Sequence, residues 1–201
     1  MQQRQRSQTT RSQLLDAALT SFAARGYAAA SVDDICQAAG VSKGAFYHHF
    51  SSKQALFLAL LDRWLEAFDR QAAMLQGQDL TVGATLTELA ELAAPLFRDA
   101  AGQLPMFLEF WSQAARDPAV WAATIAPFAR YRQFFAGLVA AGVANGDLKL
   151  VNTDAAARAV LALALGLLLQ SVLEPTADWD RITREAVQIA LRGLLQNPDG
   201  E

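Results

Sequence analysis

The 201-residue chain has one cysteine, two histidines and hardly any run in which β-branched and polar residues alternate. The single cysteine, Cys36, excludes an internal disulfide framework. His48 and His49 are adjacent, so on a helix they diverge by about 100° and cannot grip one ion as residues four apart would. With no third histidine, no metal site is predicted. A nucleophile elbow and a phosphate-cradling glycine loop are missing too, so no catalytic residue and no cofactor are assigned, and the chain is read as not an enzyme. Scarce alternation argues against a sheet. Only 18% of residues are charged, yet the charge-free stretch Ala159 to Leu173 runs 15 residues between Arg158 and Glu174, short of the roughly 20 that a bilayer helix needs. It is expected to be a buried interface helix, not a membrane span. No basic-then-apolar leader opens the sequence, and a cytoplasmic location is expected.

What is present is helix-forming. Hydrophobic residues make up 53% of the chain, with long windows rich in Ala, Leu, Gln and Arg, which predicts an all-α fold with a sizeable core. The net charge of −3 is unevenly placed: residues 1–53 carry +3 and the remainder −6. A small basic module meeting a polyanion, attached to an acidic body, fits that asymmetry.

Residues 1–9 are polar without an apolar face and are expected to form a flexible arm, whose Arg4 and Arg6 either reach a minor groove or merely solubilise the chain. From Thr10 a Thr-x-x-Gln capping box opens a first helix with Leu14, Leu15, Ala18, Leu19 and Phe22 on one face, stopped by Gly26. Ser31 with Asp34 caps a second helix that Gly40 ends in the left-handed conformation. A third starts at Ser42, two residues later. Two short helices joined through so tight a glycine turn make a helix-turn-helix. A long helix then opens at Ser51 or Ser52, with Leu56, Phe57, Leu60, Leu61, Trp64 and Phe68 on a broad stripe. Further breaks are expected near Pro95, at 102–105, at Asp117-Pro118 and at 145–147. The last two helices are expected at about 154–173 and 179–195.

The third helix carries the most informative stretch, VSKGAFYHHF. Phe46 and Phe50, four apart, define the packing face; Gly44 and His48 point away from it, flanked by Ala45 and Tyr47, with Lys43 at the start. A bare glycine lets a duplex backbone approach, a methyl can meet thymine, and the polar ends reach phosphates or base edges. Lys53 sits at the start of the long helix, where free N–H groups favour phosphate. His49 lies nearer the packing face and is read as bracing the module.

The run GYAAASVDDICQAAGVSKGAFYHHFSSKQALF resembles the N-terminal module of TetR-family transcriptional regulators, with several spaced signals agreeing in order between about Thr10 and Leu61. Ser31 stands where threonine is usual, Cys36 where alanine is common and Gln54 where glutamate is common. The resemblance implies that Ser42, Lys43, Gly44, Ala45, Tyr47, His48 and Lys53 meet a double-stranded DNA operator. It also implies a division into the arm (1–9), a helix-turn-helix domain (10–53), a connecting helix (54–76) and a ligand-binding and dimerisation domain (77–201).

In that body Leu161, Leu165, Leu168 and Val172, with Ile182, Ala186 and Ile189, recur at helical spacing and are expected to pair with their copies as a four-helix homodimer interface. Aromatic residues crowd between Phe97 and Phe135. Phe107, Trp111, Trp121, Phe128 and Tyr131 line either a pocket for a small hydrophobic or aromatic effector or plain core; Glu109 would pair a cationic ligand or an interhelical partner. The leading function is a ligand-responsive DNA-binding repressor. The other reading is a helical interaction protein whose basic module meets a protein or lipid surface.

Overall fold

Glutamine and arginine lose little side-chain freedom in a helix, and the polar start of the chain is helical in this computed structural model, which describes residues 2–76, 78, 80–101 and 103–195. Helix α1 spans Gln2–Arg25, so the expected arm is helical from residue 2, with the side chain of Arg4 outside the described residues. Thr10 is not a cap: its hydroxyl donates 3.1 Å to the Arg6 carbonyl and that of Thr9 donates 2.9 Å to Gln5, bonds that threonine makes from inside a helix.

Eight helices follow among the described residues: α2 (Val32–Ala39), α3 (Lys43–His49), α4 (Lys53–Gln76), α5 (Val82–Ala101), α6 (Leu104–Ala114), α7 (Pro118–Asn145), α8 (Thr153–Leu173) and α9 (Trp179–Leu194). There is no strand among the described residues, only an isolated bridge between Leu148 and Leu195. The expected break near Pro95 is absent, since α5 continues to Ala101. The breaks at 102–105, 117–118 and 145–147 fall where α5, α6 and α7 end.

The chain forms two compact units: residues 1–66 with 103–124, and residues 67–102 with 125–201. Helix α6 thus belongs with the N-terminal helices. In the first unit Leu14, Leu15, Ala18 and Phe22 of α1 are buried with Ile35 of α2, Phe46 of α3 and Leu56, Phe57, Leu60 and Leu61 of α4. Its centre is aromatic: the Phe57 ring stacks 4.0 Å from that of Phe110 and meets Phe22, Tyr27 and Phe107 at tilted or edge-on angles. Each such buried side chain stabilises the unit by about 1.5–3 kcal/mol. This core fixes how α2 and α3 are held.

In the second unit Leu75, Leu86, Leu89, Phe135, Val139, Ala156, Ala157 and Leu191 form the core, where α5 packs on α8 and α9. Helix α8 is long and apolar enough to cross a membrane by length and composition, longer than its charge-free stretch suggested. The residues expected as a pairing stripe on α8 are divided between core and surface. Leu168 is only 6% exposed and Leu161 packs against the unit's own core, while Leu165, Leu169 and Leu173 are 39, 47 and 72% exposed. On α9 the core line is Thr183, Val187 and Leu191, which leaves Ile182 and Ala186 half-buried and Ile189 exposed.

Candidate nucleic-acid interface

Two capped turns set α3 in place. The Ser31 hydroxyl accepts from the Asp34 N–H at 3.1 Å while Asp34 accepts from the Ser31 N–H at 3.0 Å, and Gly40 at φ 66° ends α2. Two residues on, the Ser42 hydroxyl accepts from the Ala45 N–H at 3.1 Å and opens α3. Both caps fall at the residues that the sequence indicates.

Phe46 is fully buried and Phe50 is 4% exposed, so the opposite side of α3 faces outward. Ser42, Lys43, Gly44, Tyr47 and His48 are exposed, Tyr47 by 55%, and Ala45 is half-buried. The outward face therefore presents a phenol, an imidazole and an ammonium around a glycine, the chemistry a major groove accepts. His49 is half-buried against His48 and Phe50. Burial, seconded by His48 and Arg11, holds its pKa below the ordinary value, which favours the neutral ring and a packing role.

The two lysines differ. Lys43 is exposed and pairs with Asp33 at 2.7 Å, which raises its pKa; an exposed pair of this kind is worth little and can open toward a phosphate. Lys53, expected as a second phosphate ligand, is placed otherwise. Its ammonium donates to the carbonyls of Tyr27 (2.8 Å), Ala28 (3.2 Å) and Ala30 (2.9 Å) and lies 4.5 Å from the Tyr27 ring centroid. Burial lowers its pKa, opposed by the carboxylate of Glu109. In this arrangement Lys53 braces the turn between α1 and α2.

That turn is held from its other side as well. Glu109 of α6 accepts from the Tyr27 N–H at 2.7 Å and the Ala28 N–H at 2.8 Å, one bond to each carboxylate oxygen. Gly26, at φ 79°, lets the chain approach so closely that a Cβ there would stand 2.7 Å from Glu109 Oε2. A cleft of about 570 Å³ opens beside this contact, with Tyr27, Gln54, Glu109, Gln113 and Arg116 among its lining. The partners of Glu109 among the described residues are backbone amides, in place of the interhelical side-chain partner expected, and no sequence pattern announces them.

The five aromatic residues expected at an effector pocket fall in both units. Phe107 is buried at the centre of the first unit's aromatic core and Trp121 of the same unit is 38% exposed; Trp111 is half-buried there. Phe128 and Tyr131 belong to the second unit, where the Tyr131 hydroxyl donates 2.6 Å to Asp69 and its ring meets Phe68. Burial, with the hydrogen bond to Asp69, pushes the Tyr131 pKa up. Asp69 is a polar partner that the sequence reading missed.

Residues 14–60 match the model for bacterial regulatory proteins of the tetR family, and residues 82–197 match that for the C-terminal domain of BetI-type transcriptional repressors. The chain is 28% identical over 173 residues to the HTH-type transcriptional regulator UidR of Escherichia coli K12, covering 85% of this chain and 86% of UidR. It is 54% identical over 56 residues to the HTH-type transcriptional activator FasR of Mycolicibacterium smegmatis, covering 28% of this chain and 26% of FasR. The structure of a TetR transcription regulator from Haloarcula marismortui superposes with a TM-score of 0.78 at 20% identity, covering 93% of this chain and 98% of the other, a likeness of fold.

Proposed function

The chain belongs to the TetR family of bacterial transcriptional regulators, and from that premise we propose that it works in the cytoplasm as a homodimeric repressor that releases its operator when a small hydrophobic or aromatic effector binds. The observation that carries the reading is the outward face of α3. With Phe46 and Phe50 turned into the core, Ser42, Lys43, Gly44, Ala45, Tyr47 and His48 form the base-reading and phosphate-reading surface. Lys53 contributes through the turn that it braces. One such helix reads few base pairs, so two copies read half-sites about 34–36 Å apart or a multiple of that.

The sign of regulation follows the C-terminal half. The match to an activator is confined to 56 residues, whereas the repressor model spans 82–197; the DNA-binding module alone does not decide whether bound protein blocks or recruits. The effector class is supported by the aromatic side chains from Phe107 to Tyr131, with Phe107 itself in the core rather than open to a ligand.

Selection from a random duplex library, followed by mobility-shift titration at two salt concentrations, tests the DNA reading. Counterion release weakens every duplex as salt rises, but base contacts exist only in the selected one. The enriched sequence is expected to survive added salt that strips a scrambled control; equal loss from both overturns the regulator reading. For the effector class, a panel of apolar aromatic compounds is expected to quench tryptophan fluorescence and release the duplex. Release only by highly polar solutes would reverse that assignment.

A further inference from the structure

Helix α6 has a double allegiance. It lies inside the segment 82–197 that matches a repressor's C-terminal domain, yet it packs with the N-terminal helices. Its Glu109 reaches back across more than 80 residues to the amides of Tyr27 and Ala28, while Lys53 of α4 takes the carbonyls of Tyr27, Ala28 and Ala30. The same short turn is thus held by its N–H groups from α6 and by its C=O groups from α4. This turn sets the angle between α1 and α2, and α2 leads through Gly40 directly into α3.

The choice of residue is not one that stability alone would make. A carboxylate at the C-terminal end of α1 faces the negative end of that helix's dipole, an unfavourable placement, offset here by the ammonium of Lys53. Close approach also demands Gly26, since any Cβ would strike Glu109 Oε2. Both bonds are short, 2.7 and 2.8 Å, and a shift of about 1 Å would carry either beyond hydrogen-bond reach. The contact therefore responds steeply to small movements of α6.

Building on the regulator reading, we infer that Glu109 is the positioning residue through which α6 fixes the recognition helix for DNA: with both amides held, α3 presents its reading face, and with α6 displaced the turn is released. Glu109 touches no DNA itself. It acts through the backbone of Tyr27 and Ala28.

The test compares wild type with Glu109→Gln, which sets an amide NH2 against one of the two N–H donors. The duplex selected by wild type serves as probe, with affinity measured on the folded dimer. The variant is expected to bind about tenfold more weakly, to exchange the Tyr27 and Ala28 amides faster, and to keep its melting temperature and mass. A purely structural residue would lower the melting temperature and leave the affinity of folded protein alone. A double-mutant cycle adds a second readout: Gly26→Ala is expected to cost less affinity in a Glu109→Ala background, where its methyl has no oxygen to strike.

If wild type enriches no duplex, the DNA-binding reading fails and the inference falls with it. If wild type enriches one and Glu109→Gln binds it within about twofold, the inference alone fails. Unchanged amide exchange in Glu109→Gln, or strictly additive effects in the cycle, overturns it as well.

Discussion

Tyr27 concentrates the chemistry of the first unit in one side chain. Its amide is held by Glu109, its carbonyl by Lys53 and its ring by Phe22, Phe57 and Phe110, yet its buried hydroxyl has no hydrogen-bond partner among the described residues. Burial first, then the charge of Glu109, pushes its pKa up to about 12. The unfolded phenol ionises near 10, so between about pH 10 and 12 the unfolded chain has released a proton that the folded chain keeps. Stability from this group is full below pH 10 and is lost as pH rises toward 12. Tyr27→Phe is expected to melt at the same or a higher temperature at pH 7, because an unpaired buried hydroxyl is removed. It should also lose part of the alkaline fall in stability, which thermal melts from pH 7 to 11.5 would measure. A clear drop at pH 7 would mean that the hydroxyl has a stabilising partner.

At this scale the sequence was readable where the information is local. The outward placing of Tyr47 and His48 followed from the four-residue spacing of Phe46 and Phe50. The partners of Lys53 and Glu109 did not, because backbone N–H and C=O groups exist at every residue and nothing in the side-chain order marks which of them a distant helix will reach.

At the scale of elements, caps were legible and phase was not always so. Ser31 and Ser42 act through hydroxyls that accept from backbone N–H groups three residues on, and Gly40 through a left-handed conformation that other residues resist. On helix α9 the core line runs through Thr183 and Leu191, while Ile182 and Ala186, expected at a pairing face, are half-buried and Ile189 is exposed. The middle of helix α8 is apolar all round, so its hydrophobic spacing carries no phase, and Leu168, expected on a pairing face, is buried within the single chain. A helix of that composition takes its orientation from what packs on it.

Two glycines of α7 make the same point about packing. At Gly142 an added Cβ would stand 2.8 Å from Leu148 and 3.1 Å from Val82, whereas at Gly137 it would meet nothing within 4 Å. Alanine gains about 1 kcal/mol of helix propensity at either position, but overpacking costs about 1–3 kcal/mol. Gly142→Ala is therefore expected to lower the urea midpoint and Gly137→Ala to raise it. Equal shifts of the same sign would show that propensity alone governs α7.

At the scale of the molecule, the residues exposed on α8 indicate which face the proposed homodimer would use. A repressor reading two half-sites needs a partner, and the apolar surface still open on α8 is the line Leu165, Leu169 and Leu173, with Ile189 exposed on α9. Gly166 and Gly193 have nothing within 4 Å of a built Cβ in the single chain, so a neighbouring backbone can come close. Leu169→Glu puts a charge on that open line without touching the core, and is expected to give a folded protein of 21.7 kDa in place of a dimer of twice that mass. Its affinity for the selected duplex should fall by at least about a hundredfold, the loss that follows when two tethered contacts become one. Leu168→Glu one residue away forces the charge into the core and is expected to lower the melting temperature sharply instead. Light scattering and thermal melts on the pair separate the two faces: a dimeric Leu169→Glu protein that binds DNA as wild type does would place the interface elsewhere, and a stable, monomeric Leu168→Glu protein would restore the stripe that the sequence first suggested.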